Sequence, residues 1–339
     1  MIQDISTPEY SAVRDGAGLI DLSARGRILV SGSEAVMFLN GLITNDMKSL
    51  ALNWWMHAAF ANVQGRLLAA VRIVHCEDGF LIETEEATRE AVMKLIERFT
   101  LAGDFKVAEL GGQTVEISIQ GPASREVVEK VFGGQAGELE RQKSLTVDFE
   151  GAAVTLIRAT HTAEDGFDLF VNRDDSAAMR DALKHAGARS VGEDTFETLR
   201  IEAGIPRYGI DMDETNVVTE TNLDDAVSFT KGCYVGQEII VRIKHRGHVA
   251  KKLTGLVLND ASPAARSANV LSADGKEIGR VTSSTFSPKL DCAIALGYLK
   301  YDYLDPGTRV KIVTAAHESG GEVVQLPFVS GSWYEPSAL

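Results

Sequence analysis

From about Lys251 to the end of the chain, short β-rich runs alternate with turn signals at Ala273-Asp274-Gly275, Ser287-Pro288 and Asp305-Pro306-Gly307, and no amphipathic helical pattern interrupts them. A stretch of this kind predicts a small all-β barrel or sandwich. Upstream the texture differs. Residues 26–32 read as a strand, followed by a helix that Ser33 caps and Gly41 stops. Residues 57–63 and 67–75 form a hairpin about Gln64-Gly65, 80–83 a third strand, and 86–101 a helix with Val92, Leu95, Ile96 and Phe99 inward. A second block repeats the theme, with strands at 114–119, 146–149, 154–158 and 168–171 and helices at 124–132 and 174–186. Asp194 and Glu197 read as a capping box for a helix ended by Gly204 and Pro206. Strands and helices in this order predict an α+β fold rather than a doubly wound sheet.

Chemistry is most plainly set up by Lys231-Gly232-Cys233-Tyr234-Val235-Gly236-Gln237-Glu238, which leads into a helical stretch over 237–246. A thiol beside a cation and near a helix N-terminus is stabilised as the thiolate, and the flanking glycines let the chain turn and a ligand approach. The competing reading is a buried cysteine acting as a small hydrophobe. Cys76, Cys233 and Cys292 are widely spaced and odd in number, which excludes a disulfide framework or a Cys-x-x-Cys metal site and suits a reducing compartment. The chain has no apolar run long enough to span a membrane, and Met1-Ile2-Gln3-Asp4 does not begin a secretory leader, so a soluble, cytoplasmic protein is expected.

The net charge of -14 opposes wholesale nucleic-acid or membrane binding. Against that background Arg242, Lys244, Arg246, Lys251 and Lys252, with His245 and His248, form a basic run suited to a carboxylate tail, a partner protein or RNA phosphates. The two histidines read as surface cations, and no metal site is expected. Phosphate-loop, Rossmann, zinc-protease and Gly-x-Ser-x-Gly patterns are absent.

The run 199–209 (Leu-Arg-Ile-Glu-Ala-Gly-Ile-Pro-Arg-Tyr-Gly) with Asp211 and Asp213 resembles the glycine cleavage T-protein, a tetrahydrofolate-dependent aminomethyltransferase. So do Thr44-Asn45-Asp46, Asn62-Val63-Gln64-Gly65 and Glu164-Asp165-Gly166-Phe167, and the likeness runs over essentially the whole chain. The octapeptide at 231–238 resembles the cysteine signature of the YgfZ branch, whose members bind folate and support assembly or repair of iron-sulfur proteins. The resemblance implies T-protein-like folate-binding modules and a C-terminal barrel around a central folate-binding hole. The expected division is 1–50 with 112–250 as a discontinuous first α+β region, 51–111 as an inserted ferredoxin-like module, and 251–339 as the barrel.

The T-protein's aspartate pair falls on Ala69 and Ala70, which removes its acid-base group. The resemblance places Asp168 on the pterin, with Arg200 and His161 near the folate; Asn62 and Tyr208 are further candidate pocket residues. It implies a tetrahydrofolate-binding accessory protein serving iron-sulfur client proteins through Cys233, assisted by Lys231, rather than an enzyme. The alternative is a folate-dependent aminomethyl or one-carbon transferase.

Overall fold

The computed structural model describes residues 7–98, 103–313 and 318–334. The elements are α1 (Thr7–Asp15), β1 (Gly18–Asp21), β2 (Gly26–Ser31), α2 (Ala35–Leu42), β3 (Trp55–Ala61), β4 (Leu67–Cys76), β5 (Gly79–Thr84), α3 (Arg89–Glu97), β6 (Lys106–Glu109), β7 (Thr114–Gln120), α4 (Ser124–Phe132) and α5 (Gly134–Gly137). They continue with β8 (Ser144–Phe149), β9 (Ala152–Arg158), β10 (Gly166–Asn172), α6 (Ser176–His185), β11 (Arg189–Ser190), α7 (Glu193–Glu202) and α8 (Gln237–Arg246). The last six strands are β12 (Lys251–Leu258), β13 (Asn269–Ser272), β14 (Glu277–Ser287), β15 (Cys292–Lys300), β16 (Arg309–Val313) and β17 (Glu318–Val324).

Three sheets organise these elements. One runs β11-β1-β7-β10-β9-β8 and is antiparallel except between β1 and β11. The second runs β3-β4-β5-β2-β6, and the third closes into the barrel β12-β15-β14-β13-β16-β17. The α+β architecture with a C-terminal barrel therefore stands. The second sheet begins at Gly26, ahead of the boundary expected at 51, because β2 pairs with both β5 and β6. Its core joins Ile28 and Val30 to Leu39 of α2 and to Ala69, Val71 and Ile73 of β4. Strand alternation then sends Ala70 and Arg72 of β4 to the opposite face.

In the first sheet Ile117, Ile119, Phe167 and Leu169 pack under Val127 and Val128 of α4 and Met179 and Leu183 of α6. The barrel is filled by the inward set of its strands, including Leu256, Val270, Ile278, Ala295 and Ile312.

Two expected caps are not formed. Ser33 turns its hydroxyl to Asp104 at 2.6 Å, and α2 starts at Ala35 with no side-chain cap. Helix α7 starts at Glu193 after Gly192, and Glu197 is drawn to Arg200 instead of closing a box with Asp194. Of the helix expected over 86–101, a 3-10 turn at Glu86–Thr88 and α3 are formed, while 99–101 lie outside the described residues.

Helix α8 interlocks with the β3–β4 turn. Gly236, its N-cap, has φ +84°, and a Cβ there would come within 2.5 Å of the Asn62 carbonyl oxygen. At the far end of the chain the backbone returns to the β9–β10 connection: Ser332 donates from its N–H and hydroxyl to Glu164 (2.8 and 2.7 Å), and Trp333 N–H donates to the Ala163 carbonyl. Gly236→Ala should lower unfolding free energy by about 1–3 kcal/mol in urea titrations, through left-handed strain and the close approach. Gly232→Ala, whose added Cβ meets nothing within 4 Å, should stay near wild type.

Candidate functional site

A cavity of about 890 Å³ opens where the three sheets meet, a size suited to a cofactor-scale ligand. Its walls include His57, Ala70 and Arg72 from β3 and β4, His161 from the β9–β10 connection, Gly204 after α7, and Leu253 and Leu326 from the barrel side. No single module encloses it.

Arg72 is the electrostatic centre of the wall. It donates from Nε to Glu83 (2.6 Å), from Nη2 to Glu116 (2.7 Å) and from Nη1 to Asp168. Glu83 also receives Arg25 at 3.0 Å. Burial works against the Glu83 carboxylate, but Arg72 and Arg25 hold its pKa down to about 2. Burial likewise opposes ionised Asp168, whose contacts with His161 and Arg72 keep it well below the usual carboxylate range. Glu116 goes the other way: burial and then the neighbouring Glu83 push it up to about 8, and its Oε2 has no hydrogen-bond partner among the described residues. The guanidiniums of Arg72 and Arg25 thus serve four acids, Glu83, Glu85, Glu116 and Asp168, of which Glu116 is the one pushed toward its neutral form.

His161 is buried, and burial pulls it below the ordinary imidazole range against the attraction of Asp168. A neutral ring must donate its Nε2–H to Asp168 Oδ2 at 2.9 Å. Glu116, His161 and Asp168 offer ligand atoms within 4.8 Å of one another, yet the Arg72 guanidinium already donates to both acids.

The expected folate contacts divide. His161 lines the cavity, whereas Asp168, 0% exposed, stands behind it with its oxygens committed to Arg72 and His161. Arg200 does not line the cavity; it is spent on Glu197, Asp211 (2.7 Å), the Ile205 carbonyl and the Ser283 hydroxyl of β14, joining α7 to the barrel. Asn62 also stands outside the walls, its side-chain oxygen accepting the Gln64 and Arg66 N–H groups of the hairpin turn. Tyr208 packs in the cluster of Met212 and Val217 and donates weakly to the Leu67 carbonyl at 3.4 Å.

Cys233 is exposed and likewise outside the cavity walls. Lys231 is buried, and its ammonium donates to the carbonyls of Asn40, Ile43 and Asn45. It therefore anchors the cysteine loop on the end of α2, and its hydrogen bonds are used there rather than at the thiol. In the basic run, Arg242 pairs with Glu238, Lys252 with Asp224, and Lys244 lies over Phe229 at 3.6 Å; none of these lines the cavity. Arg25, Arg72 and Arg141 reach it unforeseen, and Arg141 is stacked on Trp333 with 4.4 Å to the ring centroid.

Arg72→Met would leave the surrounding acids without their cation and should cost about 3–5 kcal/mol of stability, read as a lowered denaturation midpoint. Glu116 gives a pH test. With its folded pKa raised from 4.5 to about 8, its stabilising contribution is full below pH 4.5 and is lost as pH rises through 8. The wild-type advantage over Glu116→Gln should shrink across that window by an amount on the order of a few kcal/mol, measured by urea unfolding at each pH.

Comparison with known proteins adds an independent line. The GCVT N-terminal domain matches residues 2–231, and the glycine cleavage T-protein C-terminal barrel domain matches 251–330. An aminomethyltransferase of Halothermothrix orenii is 30% identical over 327 residues, 95% of this chain and 90% of that protein. One of Thermotoga neapolitana is 30% identical over 331 residues, 96% of this chain and 89% of that protein. The crystal structure of glycine cleavage system aminomethyltransferase T from Bartonella henselae matches with a TM-score of 0.88 at 23% identity, covering 97% of this chain and 90% of that one, which establishes likeness of fold.

Proposed function

Since the chain belongs to the glycine cleavage T-protein family, we propose that it binds a tetrahydrofolate in the central cavity and supports the assembly or repair of iron-sulfur proteins through Cys233, as a YgfZ-type member. The observation that carries this reading is Ala70. Its methyl group lines the cavity on the strand where the transferase keeps its aspartate pair, and Ala69 beside it is buried in the core. A methyl group neither takes nor gives a proton, so aminomethyl transfer has no β4 carboxylate to use. The exposed Cys233, on a loop anchored by Lys231, is then the thiol open to a client protein.

The ligand's flat ring system has apolar surface to meet at Ala70, Val71 and Trp55, while Arg141 is available to a carboxylate of the tail. Tetrahydrofolate binding followed by calorimetry should fall at least tenfold, by about 1.4 kcal/mol or more, in Ala70→Trp, whose indole fills the cavity. In cells lacking the endogenous protein, wild type should restore iron-sulfur enzyme activity and Cys233→Ala should not. Full restoration by the cysteine variant would sink the thiol assignment.

A second reading is favoured by the two relatives at 30% identity, both named aminomethyltransferase. In it the chain transfers an aminomethyl or other one-carbon group to tetrahydrofolate. Purified protein, tetrahydrofolate and an aminomethyl-loaded lipoyl carrier separate the two: sustained ammonia release places the transferase first, and its absence with folate bound favours the accessory reading.

A further inference from the structure

Across the β3–β4 ladder His57 stands opposite Arg72, and Ala59 opposite Ala70. His57 and Ala70 are therefore diagonal neighbours on one face, a step of roughly 7–8 Å between such positions. Both line the cavity. His57 Nδ1 lies 2.6 Å from Asp225 Oδ2, and Asp225 lines the cavity as well. The pair is clamped through its backbone, because the Asn45 side-chain amide donates to the carbonyls of His57 (2.7 Å) and Asp225 (2.9 Å). His57 Nε2 has no hydrogen-bond partner among the described residues.

The other carboxylate and imidazole groups of the wall are committed. Glu83 is held by Arg72 and Arg25, Glu85 by Arg25 and Arg207, and His161 is buried against Asp168. Partial desolvation opposes the Asp225 carboxylate, but the hydrogen bond from His57 lowers its pKa and keeps it anionic. A carboxylate on Nδ1–H fixes the tautomer that leaves the Nε2 lone pair free to act as a base.

We propose that His57, oriented by Asp225, is the proton-transfer group of the cavity, displaced one diagonal step from the position where Ala70 has none. The inference rests on folate occupying the cavity and adds chemistry to it. The amine nitrogen of the bound pterin attacks an aldehyde-level one-carbon donor, forming the C–N bond while the carbonyl π pair moves to oxygen. The N–H proton passes to His57 Nε2, and the imidazolium returns it to that oxygen. The products are a hydroxymethyl amine and neutral imidazole, so atoms and charge balance. Asp225 is a positioning residue for this step.

The probes are tetrahydrofolate and formaldehyde, with condensation followed by stopped-flow absorbance and tetrahydrofolate affinity by calorimetry. Wild type should exceed the protein-free rate, and His57→Ala or His57→Gln should lose about a hundredfold in rate with affinity changed less than about threefold. Free imidazole should restore at least about tenfold to His57→Ala, which a merely structural histidine would not allow. Asp225→Asn should lose about tenfold in rate at unchanged affinity. A wild-type rate equal to the protein-free one, a His57→Ala rate equal to wild type, or a loss that imidazole does not restore, each with folate bound, overturns the dyad and leaves the folate reading standing. Failure of wild type to bind tetrahydrofolate removes both.

Discussion

One guanidinium is the electrostatic joint between the two α+β sheets. Arg72 projects from the second sheet and meets Glu116 and Asp168, which stand on β7 and β10 of the first, while Glu83 of its own sheet supports it from the side. Buried ion pairs repay their desolvation only when they are well hydrogen-bonded, and here burial and Glu83 push Glu116, the least satisfied of the acids, toward its neutral form. Arg27 adds a second tie in the same seam, donating from β2 to the side chain and carbonyl of Thr114 at the start of β7. The wall of the cavity is thus a by-product of joining the sheets: His161 is turned by Asp168, and Asp168 is held by Arg72.

The barrel is attached by a comparable device centred on α7. Glu202 at its end receives the Tyr10 hydroxyl and Arg14 from α1 and the Ser287 hydroxyl from β14. Arg200, two residues earlier, reaches Ser283 of the same strand and Asp211. The helix is a buried shaft with charged bearings, which explains why the hydrogen bonds of its arginine are spent within the joint. A cavity assembled from three bodies requires such rigid joints, since a small tilt between the sheets would part Arg72 from Glu116 and Asp168.

Local pattern made much of this legible. The hairpin about Gln64-Gly65, the period-two strands of the barrel and the switch in texture near Lys251 are short-range signals, and each corresponds to elements that formed. The charge network was not legible because its members lie far apart in sequence: Arg72 reads as one polar residue in an apolar strand, and its acids at 116 and 168 declare themselves only once β4 faces β7 and β10. Arg200 and Lys231 were misplaced for a related reason. A cation near a motif reads as available, but burial in this fold requires each to be fully hydrogen-bonded, and carbonyls or carboxylates nearby took them first. The Asp194 box failed likewise, Glu197 being worth more to a buried arginine than to an exposed helix start. His57 was passed over as an ordinary strand residue, since its partner Asp225 is remote in sequence.

The return of the chain end to the β9–β10 connection bears on the order of events during synthesis. Trp333 and Tyr334 wall the cavity, and Ser332 secures Glu164 beneath them. Translation delivers these residues after both sheets and the barrel strands have emerged, and modules fold largely in that order. A nascent chain accordingly has a folded scaffold with one side of its chamber still missing. A chain that has not yet released residues 332–334 from the ribosome therefore lacks that wall of the cavity.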